Sequence, residues 1–599
     1  YLYSLMKIKV NRNIIWAQIF IDQLAALGVQ YACISPGFRS TPLTYVLSKN
    51  RKIKSFINID ERSSAFFALG LARTTKQPVI VVTTSGTAVA ELYPAIIEAY
   101  QQRTPLIICT ADRPPELIGT GANQTINQHN IFKNHIRLFR DLGLPSIGET
   151  GFHHLQKIAI KAYQIGLTDD RGPVHLNFPF RKPLEPFSYT DEVSKKFFQL
   201  KPQRITRNKS LYHNTTGNGL AKAFGRLTDE LAKTEKGIII AGPMEYDREL
   251  IKDIKKLSAL LKYPVFADGL SQLRFNTNKK DYTILSNFSS ILKSENFVRE
   301  HEPDVIIQFG RTPTSSVFES FLAETNADRY LVNSFGDKFD PARNAKAILT
   351  IETKTFCDII LSSINQKKIT RHKSNWLKDF IYADEISEKI KSRIIERAKF
   401  PNEPYVINEI FKTVPSESNI FIGNSLPVRD LDNFFNSTAK RFNIFFNRGA
   451  SGIDGVTSTA FGIALSKKPT VLITGDLSFL HDLNALSIAA KYSIPLIIIV
   501  VNNNGGGIFE SLPIAGKVKR FREFFITPHN IELDSIVKSF GINHQLITNR
   551  SQLQSHLNKS LNKNSSSVLE IQTNAVQSVE LRNKYFNEVK KILNKEFQK

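Results

Sequence analysis

Short, mainly apolar runs that read as strands alternate along this chain with stretches whose apolar residues recur at helical spacing. In the first third the runs are Tyr31–Ile34, Ile53–Ile59, Val79–Thr83, Leu106–Thr110 and Val174–Phe178. In the middle they are Gly237–Ala241, Pro264–Ala267, Val305–Phe309, Tyr330–Val332 and Ala347–Ile351. In the last third, Thr470–Thr474 and Ile494–Val501 flank residues 482–492, whose apolar positions suit a helix. Strands alternating with helices predict an α/β fold built on doubly wound parallel sheets. A chain of 599 residues is too long for one core. The prolines of RGPVHLNFPFRKPLEP mark a linker towards residue 200, and the charged, helical stretch 366–400 marks a second. The expected domains are therefore 1–195, 200–365 and 401–599, with 366–400 as a helical linker. Beyond residue 575 a Lys/Glu-rich amphipathic helix is expected to be a solvated face.

The chemistry gathers at strand ends. Gly475-Asp476 closes one apolar run and Asn502-Asn503-Asn504, followed by three glycines, closes the next. In a strand–helix–strand unit both tips lie on the same sheet edge, where open α/β sheets bind ligands. A carboxylate and a carboxamide there are hard oxygen donors of the kind Mg²⁺ takes while keeping places for phosphate oxygens. The same residues also make an ordinary Asx-rich turn. Earlier in the chain, SPGFRSTPL leads from a strand into a helix capped by Ser40 or Thr41, with Arg39 at the ligand edge. INIDERSSAFFALGLART carries Glu61 before a helix that opens on Ser63-Ser64, where a carboxylate also serves as a dipole-favoured cap. Thr84-Ser85-Gly86-Thr87 is a strand-to-helix turn whose free amides suit an anion. Arg113, with Asn123 and Gln124 beyond it, offers donors to carboxylates. In FIGNSLPVRDLD, Ser425 and Arg429 are spaced to share a helix face, and Gly449, Gly452 and Gly455 allow a tight backbone course.

Composition narrows the class without naming a function. Apolar content of 42% with 22% charged residues is that of a globular protein. No apolar run approaches the ~20 residues of a membrane span, so no transmembrane segment is expected. Lys7, Lys9 and Arg12 interrupt the N-terminal stretch, and no secretory core follows it. Three cysteines, Cys33, Cys109 and Cys357, give no disulfide framework or zinc spacing, so a cytoplasmic setting is expected. The net charge of +24 invites a nucleic-acid partner. The basic residues are scattered, however, with no arginine-rich arm or aromatic RNA signature, and no nucleic-acid partner is expected. A positive field also draws in anionic substrates.

GD followed by NN at this interval resembles the diphosphate–metal motif of the thiamin-diphosphate enzymes. GDLSFLHDLNAL, VVNNNGGGIF and DERSSAFFALGLAR resemble one family within them, the 2-succinyl-5-enolpyruvyl-6-hydroxy-3-cyclohexene-1-carboxylate (SEPHCHC) synthases. The resemblance is strong over 31–130 and 421–515 and weak over 200–400. It implies three doubly wound parallel-sheet domains of the thiamin-diphosphate enzyme type: pyrimidine-binding, central, and diphosphate-binding. It implies thiamin diphosphate with Mg²⁺ or Mn²⁺ as cofactors, the metal held by Asp476, Asn503 and the Gly505 carbonyl. Glu61 is then the carboxyl that shares a proton with the aminopyrimidine ring. Ser85, Gly86, Gly475, Leu477, Ser478, Gly506 and Ile508 join the cofactor cradle, Ile453 presses between its two rings, and Phe509 and Leu512 line the cavity. The substrates implied are 2-oxoglutarate and isochorismate. Arg39, Arg113, Gln124, Ser425, Arg429 and Arg448 are implied to bind their carboxylates and hydroxyls. The cofactor site is implied to lie between subunits of a homodimer or homotetramer. Two departures stand out: Phe38 replaces the family's serine in SPGSRSTPL, and Arg311 follows Val305–Phe309 where the family often has a basic residue reaching the active site. Another thiamin-dependent 2-oxoacid decarboxylase or acetohydroxyacid synthase would share Glu61 and Asp476 but not the arginine set. A basic, non-enzymatic binding protein would share neither.

Overall fold

The structure is a computed structural model that describes residues 7–168, 170–194, 200–203, 218–278, 281, 283–366 and 375–598. The first six positions of the N-terminal stretch, 195–199 of the proline-marked linker and 367–374 of the helical linker lie outside the described residues. The described residues fall into two compact units. One is drawn from positions up to 203 together with Asn447–Lys467 and His481–Ile494; the other takes the remainder. Among the described residues no helix is long and apolar enough to cross a membrane.

The first unit holds a six-stranded parallel sheet in the order Lys54–Ile57, Tyr31–Ile34, Val79–Thr83, Leu106–Asp112, Val174–Pro179, Leu138–Asp141. The inner strands Val79–Thr83, Leu106–Asp112 and Val174–Pro179 are buried throughout, as strands covered on both faces are. The helix Glu61–Thr75 is closed off from Ser63 to Arg73. A second helix, Val456–Ala464, supplied from far along the chain, packs against it. This helix starts earlier than the sequence suggested. Asp60, not Ser63-Ser64, forms its cap, accepting from Ser63 N at 2.9 Å. Ser40 precedes the helix Thr41–Lys49 but does not cap it: its hydroxyl donates back to Gly37 O at 2.9 Å.

The second unit holds two further six-stranded parallel sheets. The central one runs Ile284–Leu285, Val265–Ala267, Gly237–Ala241, Val305–Phe309, Asp328–Asn333, Ala347–Thr350. At its reversal of strand order the two loops meet backbone to backbone, with Gly242 N bonded to Phe309 O and Arg311 N to Pro243 O. Arg311 stacks on Phe339 at 4.6 Å, and Ser315 precedes the helix Ser316–Glu324 without a side-chain cap. The last sheet runs Phe442–Phe445, Ser418–Ile422, Thr470–Gly475, Ile497–Asn502, Ser567–Gln572, Asn543–Leu546. Counted along the chain, its strands follow the same order as those of the first sheet.

Three expectations need correcting here. The expected strand from Ile494 begins at Ile497, because Pro495 has no N–H to give a ladder. The expected helix 482–492 is a 3₁₀ turn, Leu483–Ala485, followed by the helix Leu486–Tyr492. The C-terminal helix Ala575–Glu596 is not merely a solvated face: Ser578, Tyr585, Val589 and Leu593 are buried at helical spacing, the last three within an apolar core.

Candidate functional site

Doubly wound sheets bind ligands where the strand order reverses, outside the carboxyl ends of the strands. In the first sheet that point lies between Tyr31–Ile34 and Val79–Thr83, and the loops after these strands touch. A Cβ on Gly37 would lie 2.3 Å from Thr84 Cβ, so glycine alone allows the approach. Arg39 is buried there, its Nη1 donating to Phe180 O at 2.7 Å while its Nε is buried without a hydrogen-bond partner. Burial, then the charge of Arg113, holds the Arg39 guanidinium below its ordinary range, and Asp112 pulls the other way. Arg113 bonds to Ser85 Oγ and to Asn123 O, the latter at 2.8 Å. Gln124 Nε2 donates to Ser85 O at 2.9 Å, and Gly86 N donates to Gln128 Oε1 at 3.1 Å. Arg39, Arg113, Gln124, Ser85 and Gly86 are therefore one cluster. Two guanidiniums, one with a buried N–H that has no partner, call for an anion.

Glu61 stands apart from that cluster, first in its helix. Its carboxyl is pushed up by burial and further by the like charges of Asp60 and Glu91. A carboxyl whose pKa is raised by burial is suited to exchanging a proton with a ring nitrogen. Phe38 is 55% exposed with Lys182 Nζ 5.8 Å from its ring, so it fills no packing role. In the segment supplied from far along the chain, the backbone after Arg448 is fixed by Glu98. That buried carboxylate accepts from Gly449 N at 2.8 Å and Ala450 N at 2.6 Å. Ile453 is 36% exposed beyond it. Of the three glycines in this stretch only Gly455 has a left-handed backbone, and a Cβ there would lie 1.9 Å from Phe66 Cγ.

In the last sheet the reversal lies between Ser418–Ile422 and Thr470–Gly475, which puts Ser425 and Asp476 on the same edge. Ser425 precedes the helix Leu426–Phe434 with φ 68° and ψ −122°, a region that costs a non-glycine residue about 1–3 kcal/mol. Arg429 Nη1 donates to Ser425 O at 2.8 Å, so the expected pairing one turn apart is side chain to backbone. Asp476 is buried. Its Oδ1 accepts from Leu477 N at 2.8 Å and its Oδ2 from Gly505 N at 2.8 Å, with His529 Nε2 3.1 Å away. Burial pushes this carboxyl up, against the pull of those donors. Asn503 Nδ2 donates to Glu403 Oε1 at 3.0 Å, leaving Asn503 Oδ1 buried with no partner.

A divalent cation suits this arrangement, because a buried amide oxygen without a partner, on the sheet edge that also carries a buried carboxylate, calls for a positive charge. Gly505, at φ 136°, admits no side chain: a Cβ would lie 2.1 Å from Ile526 O. Among the described residues no group of three or more His, Cys, Asp or Glu is placed to hold a metal. The candidate set, one carboxylate with one amide and one carbonyl, is not of that kind. Ser478 is buried and Leu477 half-buried. Gly507–Ser511 is a short 3₁₀ segment in which Ile508 and Phe509 are half-buried, Phe509 lying 6.1 Å from Phe525, and Leu512 after it is 43% exposed. Sequence reading missed His529, Glu403, Glu98 and Gln128. Each lies far in sequence from the group it holds, so no local pattern points to the pairing.

Comparison with known proteins follows this geometry. Three family models match in order: "Thiamine pyrophosphate enzyme, N-terminal TPP binding domain" over residues 16–131, "Middle domain of thiamine pyrophosphate" over 221–422, and "Thiamine pyrophosphate enzyme, C-terminal TPP binding domain" over 432–571. A protein of Trichodesmium erythraeum named 2-succinyl-5-enolpyruvyl-6-hydroxy-3-cyclohexene-1-carboxylate synthase is 38% identical, over 94% of this chain and 95% of its own. Proteins of the same name from Geobacillus kaustophilus and Gloeothece citriformis are 35% and 37% identical. They match over 96% and 94% of this chain, and over 97% and 96% of their own.

Proposed function

Because the chain belongs to the SEPHCHC synthase family, we propose that it decarboxylates 2-oxoglutarate and adds the resulting succinyl unit to isochorismate, in a thiamin-diphosphate-dependent step of menaquinone biosynthesis. The products are 2-succinyl-5-enolpyruvyl-6-hydroxy-3-cyclohexene-1-carboxylate and CO₂. When bound, thiamin diphosphate supplies the nucleophilic carbon and the electron sink for both halves of this carboligation.

The chain's own residues have separable tasks. Asp476, Asn503 Oδ1 and the Gly505 carbonyl hold Mg²⁺ or Mn²⁺ against the diphosphate. Glu61 would hold a proton at its carboxyl for exchange with the cofactor's ring nitrogen. Ser85, Gly86, Gly475, Leu477, Ser478, Gly506 and Ile508 would cradle the cofactor, with Ile453 packed against its rings. Arg39, Arg113, Gln124, Ser425, Arg429 and Arg448 orient the anionic substrates, and Phe509 and Leu512 exclude water. Planar guanidiniums also discriminate, since a neutral analogue cannot take the paired, charge-assisted N–H bonds that a carboxylate accepts. We place the cofactor between Glu61 of one subunit and the Asp476 clamp of another, in a homodimer or homotetramer in the cytoplasm. The buried, free thiols of Cys33, Cys109 and Cys357 suit that compartment.

One observation carries the cofactor assignment: the buried, unpartnered Asn503 Oδ1 follows a strand parallel to the one that buried Asp476 follows. The test mixes purified protein with thiamin diphosphate, Mg²⁺, 2-oxoglutarate and isochorismate. Loss of isochorismate absorbance with CO₂ release is expected. Neither occurring, or pyruvate serving as well as 2-oxoglutarate, overturns the reading.

A further inference from the structure

Asn503 owes its orientation to residues that no motif contains. Glu403 opens the helix Glu403–Thr413, and its Oε1 accepts from Asn503 Nδ2 and from Thr573 Oγ1, both at 3.0 Å. An ionised carboxylate only accepts, so the amide is held with its nitrogen towards Glu403 and its oxygen turned away. The other oxygen of Glu403 is bonded by Arg582, from the C-terminal helix Ala575–Glu596. The same guanidinium forks onto Asp430, Nε to Oδ1 at 2.9 Å and Nη2 to Oδ2 at 2.7 Å. The side chains of Arg582, Glu403 and Asp430 are only 11%, 1% and 4% exposed. Asp430 lies on the helix Leu426–Phe434, next to Arg429.

One cation thus joins the amide of the metal clamp to the helix of the substrate arginine. Remove it and two buried carboxylates face each other unpaired, which a buried site tolerates poorly. Glu403 is then released from the geometry that turns the amide of Asn503. We propose that Arg582 is a positioning residue for the divalent cation, aiming Asn503 Oδ1 at the metal through Glu403 and steadying the Arg429 helix through Asp430. The inference rests on the cofactor reading above. Groups behind a ligand that orient it typically change metal affinity by about 10–100-fold when removed.

The test titrates Mg²⁺ into wild type, Arg582→Gln, Arg582→Lys and Glu403→Gln at fixed thiamin diphosphate, reading bound cofactor by calorimetry. Direct Mn²⁺ binding is followed by electron paramagnetic resonance on the same proteins. Arg582→Gln is expected to need about 10–100-fold more Mg²⁺ for half-saturation, with kcat largely recovered at saturating metal. Arg582→Lys should fall between, since an ammonium cannot fork onto two carboxylates. Variants matching wild type in both titrations overturn the inference while leaving the cofactor reading intact. Should Arg582→Gln fail to fold, the Lys and Glu403→Gln variants decide by the same criterion. A wild type that takes up neither cofactor nor Mn²⁺ removes both the reading and the inference.

Discussion

Gly70 and Gly462 meet where the helices Glu61–Thr75 and Val456–Ala464 cross, close enough that neither position has room for a methyl group. A Cβ on Gly70 would lie 2.1 Å from Thr459 O, and one on Gly462 would lie 2.3 Å from Phe67 O. Both obstacles are backbone, which cannot rotate away. Gly70→Ala or Gly462→Ala should therefore destabilise the first unit by about 1–3 kcal/mol, as overpacking does. Helix propensity alone would favour alanine by up to about 1 kcal/mol, so the sign of the change in urea midpoint decides between the two effects.

Glu61→Gln keeps the shape of the side chain and removes the exchangeable proton. A fall in kcat of about 10²–10⁴-fold is expected, the usual worth of a positioned acid–base group. Circular dichroism and cofactor retention should stay near wild type. A variant at full rate would remove Glu61 from the chemistry.

Asp476→Asn should separate folding from cofactor binding. Asparagine relieves the desolvation of a buried carboxylate, but its amide nitrogen cannot accept from Leu477 N or Gly505 N, so the variant without cofactor should be less stable than wild type by about 1–3 kcal/mol. Wild type at about 100 times the dissociation constant should gain about 2.7 kcal/mol from thiamin diphosphate with Mg²⁺. The variant should gain almost nothing. Thermal shifts with and without cofactor and metal measure both quantities.

Ser425→Gly tests whether backbone strain is held at the ligand edge. Glycine adopts φ 68° without a Cβ penalty, so stability should rise by about 1 kcal/mol. Turnover should fall with loss of the hydroxyl. A destabilised variant would show that the serine side chain contributes more than its strained backbone costs.

Asp482 predicts a pH dependence. It is fully buried, accepting from Ser458 N at 2.6 Å and from Ser458 Oγ at 2.9 Å. Burial pushes its carboxyl up to about 7, against those hydrogen bonds and Arg62, with Asp60 adding repulsion. Between the ordinary aspartate range near ~4 and about 7, the folded state keeps a proton that the unfolded chain releases. The contribution is therefore full in acid and is lost as pH rises towards 7. Urea midpoints on either side of this window should fall less in Asp482→Asn than in wild type. Equal falls would show that another group sets the slope.

Much of the fold was legible because apolar runs carry their own register. Tyr31–Ile34, Val79–Thr83, Gly237–Ala241 and Val305–Phe309 are strands as read, with no change at either end. Boundaries moved where one residue's chemistry overrode the pattern, as Pro495 did at the strand Ile497–Asn502 and Asp60 at the helix Glu61–Thr75. The central part of the chain gave less away, since the approach of Gly242 to Arg311 is a contact between loops, not a motif.

By itself the sequence determined where the candidate residues stand, because Asp476, Asn503 and Glu61 lie at strand ends and helix starts that local pattern fixes. The tertiary structure alone decided what holds them there. Glu403 behind Asn503, Arg582 behind Glu403, Glu98 behind the backbone after Arg448, and Gly462 against Gly70 are contacts between segments 100 or more positions apart. Periodicity reports only a residue's near neighbours along the chain, whereas a buried polar group takes its partner from whatever the folded backbone brings within hydrogen-bond reach.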